Sequence, residues 1–398
     1  MRRFTALLLA ALMLLSLAAC GQGASAGGSA QNAAGDPTPE EEAPELPEPE
    51  PYEISDPTVM PEGGVRDGVT YAAYDGIVEH LFFHPVVAYP ELAFDGDAQA
   101  NGIDDYMVTV DEYNKILQSV YDKGYVLVDI GDVWSETTGE DGQPKMVRNT
   151  LYLPEGKKPL ILSYDDTNYY EYMLANGFTY KLVIGEDGKI ASWGKDPQGN
   201  EVTSRDLDAI PILDKFVEEH LDFSPFGAKG CLSLTGYQGI LGYRTDSTYN
   251  TDEYKAEHPD FNFEEERANA AKVVQCLRDD GFEIASHSWG HLDLGTVEWE
   301  RFQSDTDKWE SEVESLIGPT DIILFPFGAD IGDWHPYTME NERFRYLYNA
   351  GFRYFCNVDS SQYWVQFGEN YMRQGRRNLD GYRMYYNPEM LEDLFDAG

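Results

Sequence analysis

Basic residues are scarce in this sequence: 29 lysines and arginines face 71 aspartates and glutamates, a formal charge of −42. A surface of that sign repels nucleic-acid phosphates and anionic lipid headgroups, which argues against a nucleic-acid partner. The acid excess reads first as a solvated surface and second as attraction for cations or amino-sugar products. Cysteine is scarce too. Apart from Cys20 there are Cys231, Cys276 and Cys356, odd in number and far apart, so neither a disulfide framework nor a thiolate metal cluster is available. All three read as small buried hydrophobes. Long apolar runs are absent after the first twenty residues, and no internal repeat is visible. With 42% hydrophobic residues in 398, the chain can nonetheless bury a large core.

The start of the chain differs from the rest. Arg2 and Arg3 precede a nearly all-apolar stretch over residues 4–19, which suits a signal-peptide core and is short for a stable membrane span. It ends Leu17-Ala18-Ala19-Cys20, which resembles the bacterial lipobox. That resemblance implies a diacylglycerol on Cys20, cleavage just before it, and an extracytoplasmic protein anchored to the membrane by lipid. The plainer alternative is a secretory signal with an incidental cysteine. Residues 21–55 are Gly/Ala/Ser-rich and then Pro/Glu-rich, the composition of a tether that is flexible first and stiffer where proline accumulates. Residues 1–20, 21–55 and 56–398 thus read as signal peptide, tether and folded domain.

In the folded part, apolar patterning switches between periods of two and 3.6. Strands are expected at 77–87 (carrying His80 and His84), 125–130, 160–163, 230–235, 282–286, 321–325, 352–357 and 382–386. Val110, Tyr113, Ile116, Leu117, Val120 and Tyr121 share one helical face that Gly124 terminates, and further helices are expected at 212–220, 263–279, 306–317 and 341–349. Residues 178–205 break the rhythm. There, 181–184, a Gly-Glu-Asp-Gly turn and 189–192 predict an inserted β-hairpin. Repeated β and α units of this number argue for a parallel sheet, open or closed into a barrel, whose site lies at the carboxyl ends of the strands.

Three groups of residues sit at those ends. Asp165 and Asp166 follow the strand at 160–163; two adjacent carboxylates project to different sides, so one can bind a cation while the other stays free as a base. Alone, such a pair is more often a turn or a cap. His287 and His291, two of only seven histidines, follow the strand at 282–286 at a spacing that on a helical turn faces both rings the same way, and imidazole is a good zinc ligand. Leu324-Phe325-Pro326-Phe327-Gly328 forms a rigid wall that can present a backbone N–H to a developing oxyanion.

Taken in order, Ser163-Tyr164-Asp165-Asp166-Thr167, His287-Ser288-Trp289-Gly290-His291 and Phe325-Pro326-Phe327-Gly328 resemble the motifs of the polysaccharide deacetylases, the NodB-homology domain of carbohydrate esterase family four. Phe83-His84-Pro85-Val86 is similar to an opening strand of a secreted subgroup, and Arg376-Arg377-Asn378-Leu379-Asp380-Gly381 to an Arg-containing segment that reaches the catalytic base. The resemblance spans about residues 77–386. It implies a distorted (β/α) barrel with the inserted hairpin. It implies a divalent metal, zinc, on Asp166, His287 and His291, with Asp165 as general base and the Phe327 N–H as oxyanion donor. The substrate it implies is an N-acetylated glycan, giving acetate and a free amine.

This sequence departs from the family pattern in three places. Leu324 stands where many members carry an arginine that orients the base, for which Arg376 is the candidate substitute. No histidine occurs after His335, so the usual late acid is missing, and His84 is the candidate in its place. Thr167 replaces the usual glycine. Hydrolysis of another amide or ester by the same site therefore stays open, as does a non-catalytic glycan-binding lipoprotein. Trp289, Tyr169, Tyr170, Tyr237, Trp334 and Trp364 are candidates to stack on sugar rings.

Overall fold

The computed structural model describes residues 64–66, 68–359 and 364–395. The signal peptide, Cys20 and the tether over 21–55 lie outside the described residues. No described helix is long and apolar enough to cross a membrane.

Seven strands run parallel: β1 (Glu79–Phe83), β2 (Lys158–Tyr164), β3 (Gly230–Leu234), β4 (Phe282–Ser286), β5 (Ile322–Leu324), β6 (Tyr354–Val358) and β7 (Met372–Asn378). Each pairs with its successor, and β7 returns to β1, with Arg377 beside Leu81. The sheet is therefore a closed seven-stranded parallel barrel, in the expected fold class. Its distortion sits at β2. One edge of that strand pairs with the short strand Tyr125–Leu127 at its start and with β3 only at Ser163 and Tyr164. A further strand, Trp364–Phe367, pairs antiparallel with β7.

Alternation along the strands sorts the core. Leu160, Leu162, Leu232, Leu234, Ile284, Ile323 and Phe355 cluster with helix residues such as Ile116, Leu117, Leu213, Val274, Leu277 and Leu347. Their neighbours Ile161, Cys231, Ala285, Leu324 and Cys356 belong to a second cluster that fills part of the barrel. Burying each such side chain fully is worth about 1.5–3 kcal/mol. The helices that bring the outer cluster together are α1 (Val110–Asp122), α2 (Ala209–Glu219), α3 (Phe263–Asp279), α4 (Trp299–Trp309) and α5 (Glu342–Ala350). Their starts follow side-chain chemistry: Thr109 and Glu112 form a reciprocal capping box on α1, and Asn341 accepts from two N–H groups of α5.

Some expected elements are corrected. Residues 382–386 are not a strand but part of a helix, Gly381–Tyr386, because the Asp380 carboxylate accepts the Arg383 N–H as an N-cap. The first strand is shorter than 77–87 and ends at Phe83, so His84 follows it. The 125–130 segment turns helical at Ile130–Val133 under an Asp129–Asp132 capping box. Within 178–205 the insert is a three-stranded antiparallel sheet, Lys181–Ile184, Ile190–Lys195 and Glu201–Ser204, rather than a hairpin. The helix expected at 306–317 starts earlier, at Trp299, and passes through a π turn at Glu310–Glu314. Cys231 and Cys356 are buried as expected, whereas Cys276 on α3 is half-exposed.

Candidate active site

The carboxyl ends of the strands converge on one group of side chains. The strand ladder continues one residue beyond each end, with Asp165 N–H donating to Phe83 O (2.8 Å) and His287 N–H to Leu234 O (2.9 Å). The chain then turns sharply. Asp166 (φ 58°), Ser288 (φ 58°), His291 (φ 50°) and Phe327 (φ 59°) all occupy the left-handed region without being glycine. Each such residue costs roughly 1–3 kcal/mol, so strain is concentrated where three predicted motifs meet.

Among the described residues, Asp166, His287 and His291 form the one group of His, Cys, Asp or Glu side chains able to share an ion, with ligand atoms all within 4.8 Å of one another. His287 is buried, and its Nδ1 lies 2.6 Å from Leu324 O. A carbonyl can only accept, so Nδ1 carries the proton and Nε2 keeps its lone pair for a ligand. Burial lowers the proton affinity of His287 and outweighs Asp165 and Asp166, which pull the other way. His291 Nε2 lies 3.4 Å from Asp166 Oδ2. Burial opposes protonation of His291, but Asp166 prevails and raises its pKa. Burial likewise opposes ionisation of Asp166, yet His291 and His287 hold its carboxyl well below the usual range. The other Asp166 oxygen accepts from Tyr170 Oη (2.6 Å), which also meets Thr235 Oγ1 at 2.7 Å. Two imidazoles and one oriented carboxylate suit zinc or a similar divalent ion and leave positions open for water and substrate.

Asp165 points elsewhere. Arg376 grips it with two bonds, Nη1 to Oδ1 (2.8 Å) and Nη2 to Oδ2 (3.0 Å), and Ser233 Oγ donates to Oδ1 at 3.0 Å. Arg376 and Asp165 are both buried, and the guanidinium lies 4.4 Å from the centre of the Phe82 ring. Burial raises the Asp165 pKa, but Arg376 and then His287 more than offset it, holding the group at about 2. Oδ2, with one donor, retains a free lone pair.

All seven predicted site residues thus meet at one end of the barrel. His84 is half-buried, its ring edge-on to Phe82 at 5.8 Å, and it directly follows Phe83, whose carbonyl accepts the Asp165 N–H. The Phe327 ring lies 4.5 Å from that of His291, edge to face. Three of the candidate sugar-stacking aromatics are committed elsewhere. Tyr169 is buried with its hydroxyl on Asp208, Tyr170 is buried on Asp166, and Trp289 donates to Glu312 under the Lys308 ammonium. Trp334 is 59% exposed.

Sequence reasoning missed the residues that hold this group in place. Ser233 and Thr235 lie at the end of β3 and were legible only as strand-end hydroxyls. Asp305, in the middle of α4, gave no signal. Its carboxylate accepts the Trp289 N–H (2.8 Å) and the Gly290 N–H (2.7 Å), fixing the turn between the two histidines. Changing Asp305 to Ala is expected to weaken metal affinity about 10–100-fold, measured by competition with a chromogenic chelator, with the overall fold retained.

Residues 247–346 match the family described as polysaccharide deacetylase. The match takes in the His287–His291 turn and the Phe325–Gly328 wall, two of the motifs that carry the resemblance. No curated protein matches it. Similar solved structures include the deacetylase PplD of Streptococcus pyogenes in complex with acetate, at 14% identity and TM-score 0.39, covering 82% of this chain and 99% of that one. A polysaccharide deacetylase from Bacillus cereus, BC0361, has 12% identity and TM-score 0.41, covering 82% and 71%. IcaB from Ammonifex degensii has 11% identity and TM-score 0.37, covering 76% and 91%.

Proposed function

We propose that this protein is a metal-dependent hydrolase that removes N-acetyl groups from a cell-surface or exported polysaccharide. The observation that carries the reading is the division of labour between adjacent carboxylates. Asp166 turns into a three-ligand set with His287 and His291, while Asp165 is held away from it by Arg376. A divalent cation on that set, for which the two nitrogens and one oxygen favour zinc, supplies Lewis-acid polarisation and a water of lowered pKa.

The chain's own groups do the rest. Asp165 accepts a proton from the attacking water at Oδ2, its less occupied oxygen. At about 2 its proton affinity is low, so orientation of the water is a large part of its contribution. The Phe327 N–H donates to the acetyl oxygen as negative charge grows there. His84 delivers a proton to the departing nitrogen. Water adds across the amide C–N bond, and acetate and a free amine leave.

The exported location rests on residues 1–20 and the lipobox-like Leu17-Ala18-Ala19-Cys20, with 21–55 as spacer between a lipid on Cys20 and the barrel. A preformed ligand set favours an enzyme over a glycan-binding protein with a decayed site. The absence of histidine after His335 favours, as a second reading, an amide or ester whose leaving group needs less help.

The deciding experiment is acetate release from a panel of N-acetylated glycans by the zinc-reconstituted protein, with and without chelator. Release that chelation abolishes is expected. No release from any member would remove the deacetylase reading. The wild-type chain should bind one divalent ion, and His291→Ala should lose stoichiometric binding with unchanged circular dichroism. Metal analysis that finds no stoichiometric ion in the reconstituted wild type would defeat the site assignment.

A further inference from the structure

One layer beneath Asp165, the side of the barrel interior formed by β1, β2 and β7 is polar where an apolar filling is the rule. His80 and Phe82 of β1, Ser163 of β2, and Gln374 and Arg376 of β7 fill it. His80, Ser163, Gln374 and Arg376 are all fully buried. His80 Nε2 lies 2.9 Å from Ser163 Oγ, and its Nδ1 lies 2.8 Å from Gln374 Nε2. Ser163 Oγ in turn accepts Arg376 Nη1 at 3.2 Å, and the same Nη1 donates to Asp165 at 2.8 Å. A chain of polar contacts therefore runs Gln374, His80, Ser163, Arg376, Asp165 across three strands. Buried polar groups carry a desolvation cost of several kcal/mol unless every partner is in place. This interior keeps that cost only a few ångströms from the clamped carboxylate.

We infer that His80 is a positioning residue that locks the Arg376 guanidinium in the two-bond grip on Asp165. The inference rests on the deacetylase reading only for what the grip serves. A guanidinium on a long side chain has rotamer freedom that two bonds to one carboxylate do not remove. The Ser163 contact fixes its third direction, and Ser163 is fixed by the imidazole. His80 has a hydrogen-bond partner on each ring nitrogen, one able to donate and one to accept, so a neutral ring satisfies both. Burial first, and then the Arg376 charge, disfavour the imidazolium. A neutral brace leaves Arg376 as the cation that faces Asp165.

The test has two arms. In the first, side-chain guanidinium resonances are recorded by NMR, with that of Arg376 assigned from its disappearance in Arg376→Lys. A slowly rotating Arg376 guanidinium is expected in the wild type, lost in His80→Leu and retained in His80→Gln, whose amide can donate and accept across the same gap. Retention in His80→Leu would overturn the inference, whatever the protein's activity. In the second arm, acetate release by His80→Leu should show kcat lowered about 10–100-fold with KM within about 2-fold, His80→Gln recovering most of it. In an Arg376→Lys background the same change should alter kcat by less than about 2-fold, because residues that act through one another are not additive. Equal losses in both backgrounds would make His80 merely structural. A wild-type protein that releases no acetate defeats the deacetylase reading and leaves the first arm to decide on His80. Should His80→Leu not fold, the His80→Gln variant carries both arms: loss of the slow guanidinium signal or an unrecovered kcat in it overturns the inference.

Discussion

Exchanging Asp165 for Asn is expected to lower acetate release by about 10²–10⁴-fold while the chain still takes up one metal ion. Asn has nearly the same shape, so the turn that aims Asp166 at His291 is preserved. It cannot accept a proton at the position of Oδ2, and it cannot balance Arg376, which is fully buried. Removing one partner of a buried charge pair costs about 3–5 kcal/mol. The variant should therefore also melt at a lower temperature, and activity must be compared well below its transition. Acid titration gives an independent reading. Asp165 has a folded pKa of about 2, below the unfolded value near 4. Its contribution to stability is thus fully present above about pH 4 and is lost as pH falls through about 2. The Asn variant should lack that part of the acid limb in denaturant midpoints. Turnover within a few-fold of wild type would move the base role to another group.

The repeating units of the barrel were legible because their outer strand positions and helix faces are apolar with clean periods. Strand 282–286 and helix 263–279 coincide with β4 and α3, since both begin and end on unambiguous signals, Asn262 as a cap before the helix and Gly281 after it. β7 was illegible as a strand. Its inward positions, Met372, Gln374 and Arg376, include the side chains that build the polar interior, so its pattern Met-Arg-Gln-Gly-Arg-Arg-Asn reads as a charged loop. The same fact hid His80, whose partners lie 83 and 294 residues away. The two histidines of the ligand set were legible because their spacing is local, whereas the choice of Asp166 over Asp165 came only from the family resemblance. The clamp on Asp165 came through only as a resemblance around Arg376. The supports from Ser233, Tyr170 and Asp305 depend on tertiary approach alone, for which single-chain patterning has no period to offer.

His84→Ala is expected to depress hydrolysis of an N-acetyl substrate by about 10²–10⁴-fold and that of an activated acetyl ester by only a few-fold. An amine must be protonated before the C–N bond breaks, because an amide anion is a very poor leaving group. An activated alkoxide leaves without that help. The chain holds no histidine after His335 to do the work. His84 stands one residue past the end of β1, half-buried, directly after Phe83, whose carbonyl accepts the Asp165 N–H. That places it beside the reacting groups but outside the ligand set, as a proton donor requires. The comparison is internal to one protein, so partial unfolding or weakened metal uptake would lower both rates together. Equal losses on the two substrates would make His84 a structural residue packed against Phe82. No loss on either would assign the proton to water or to one of the two histidines of the ligand set.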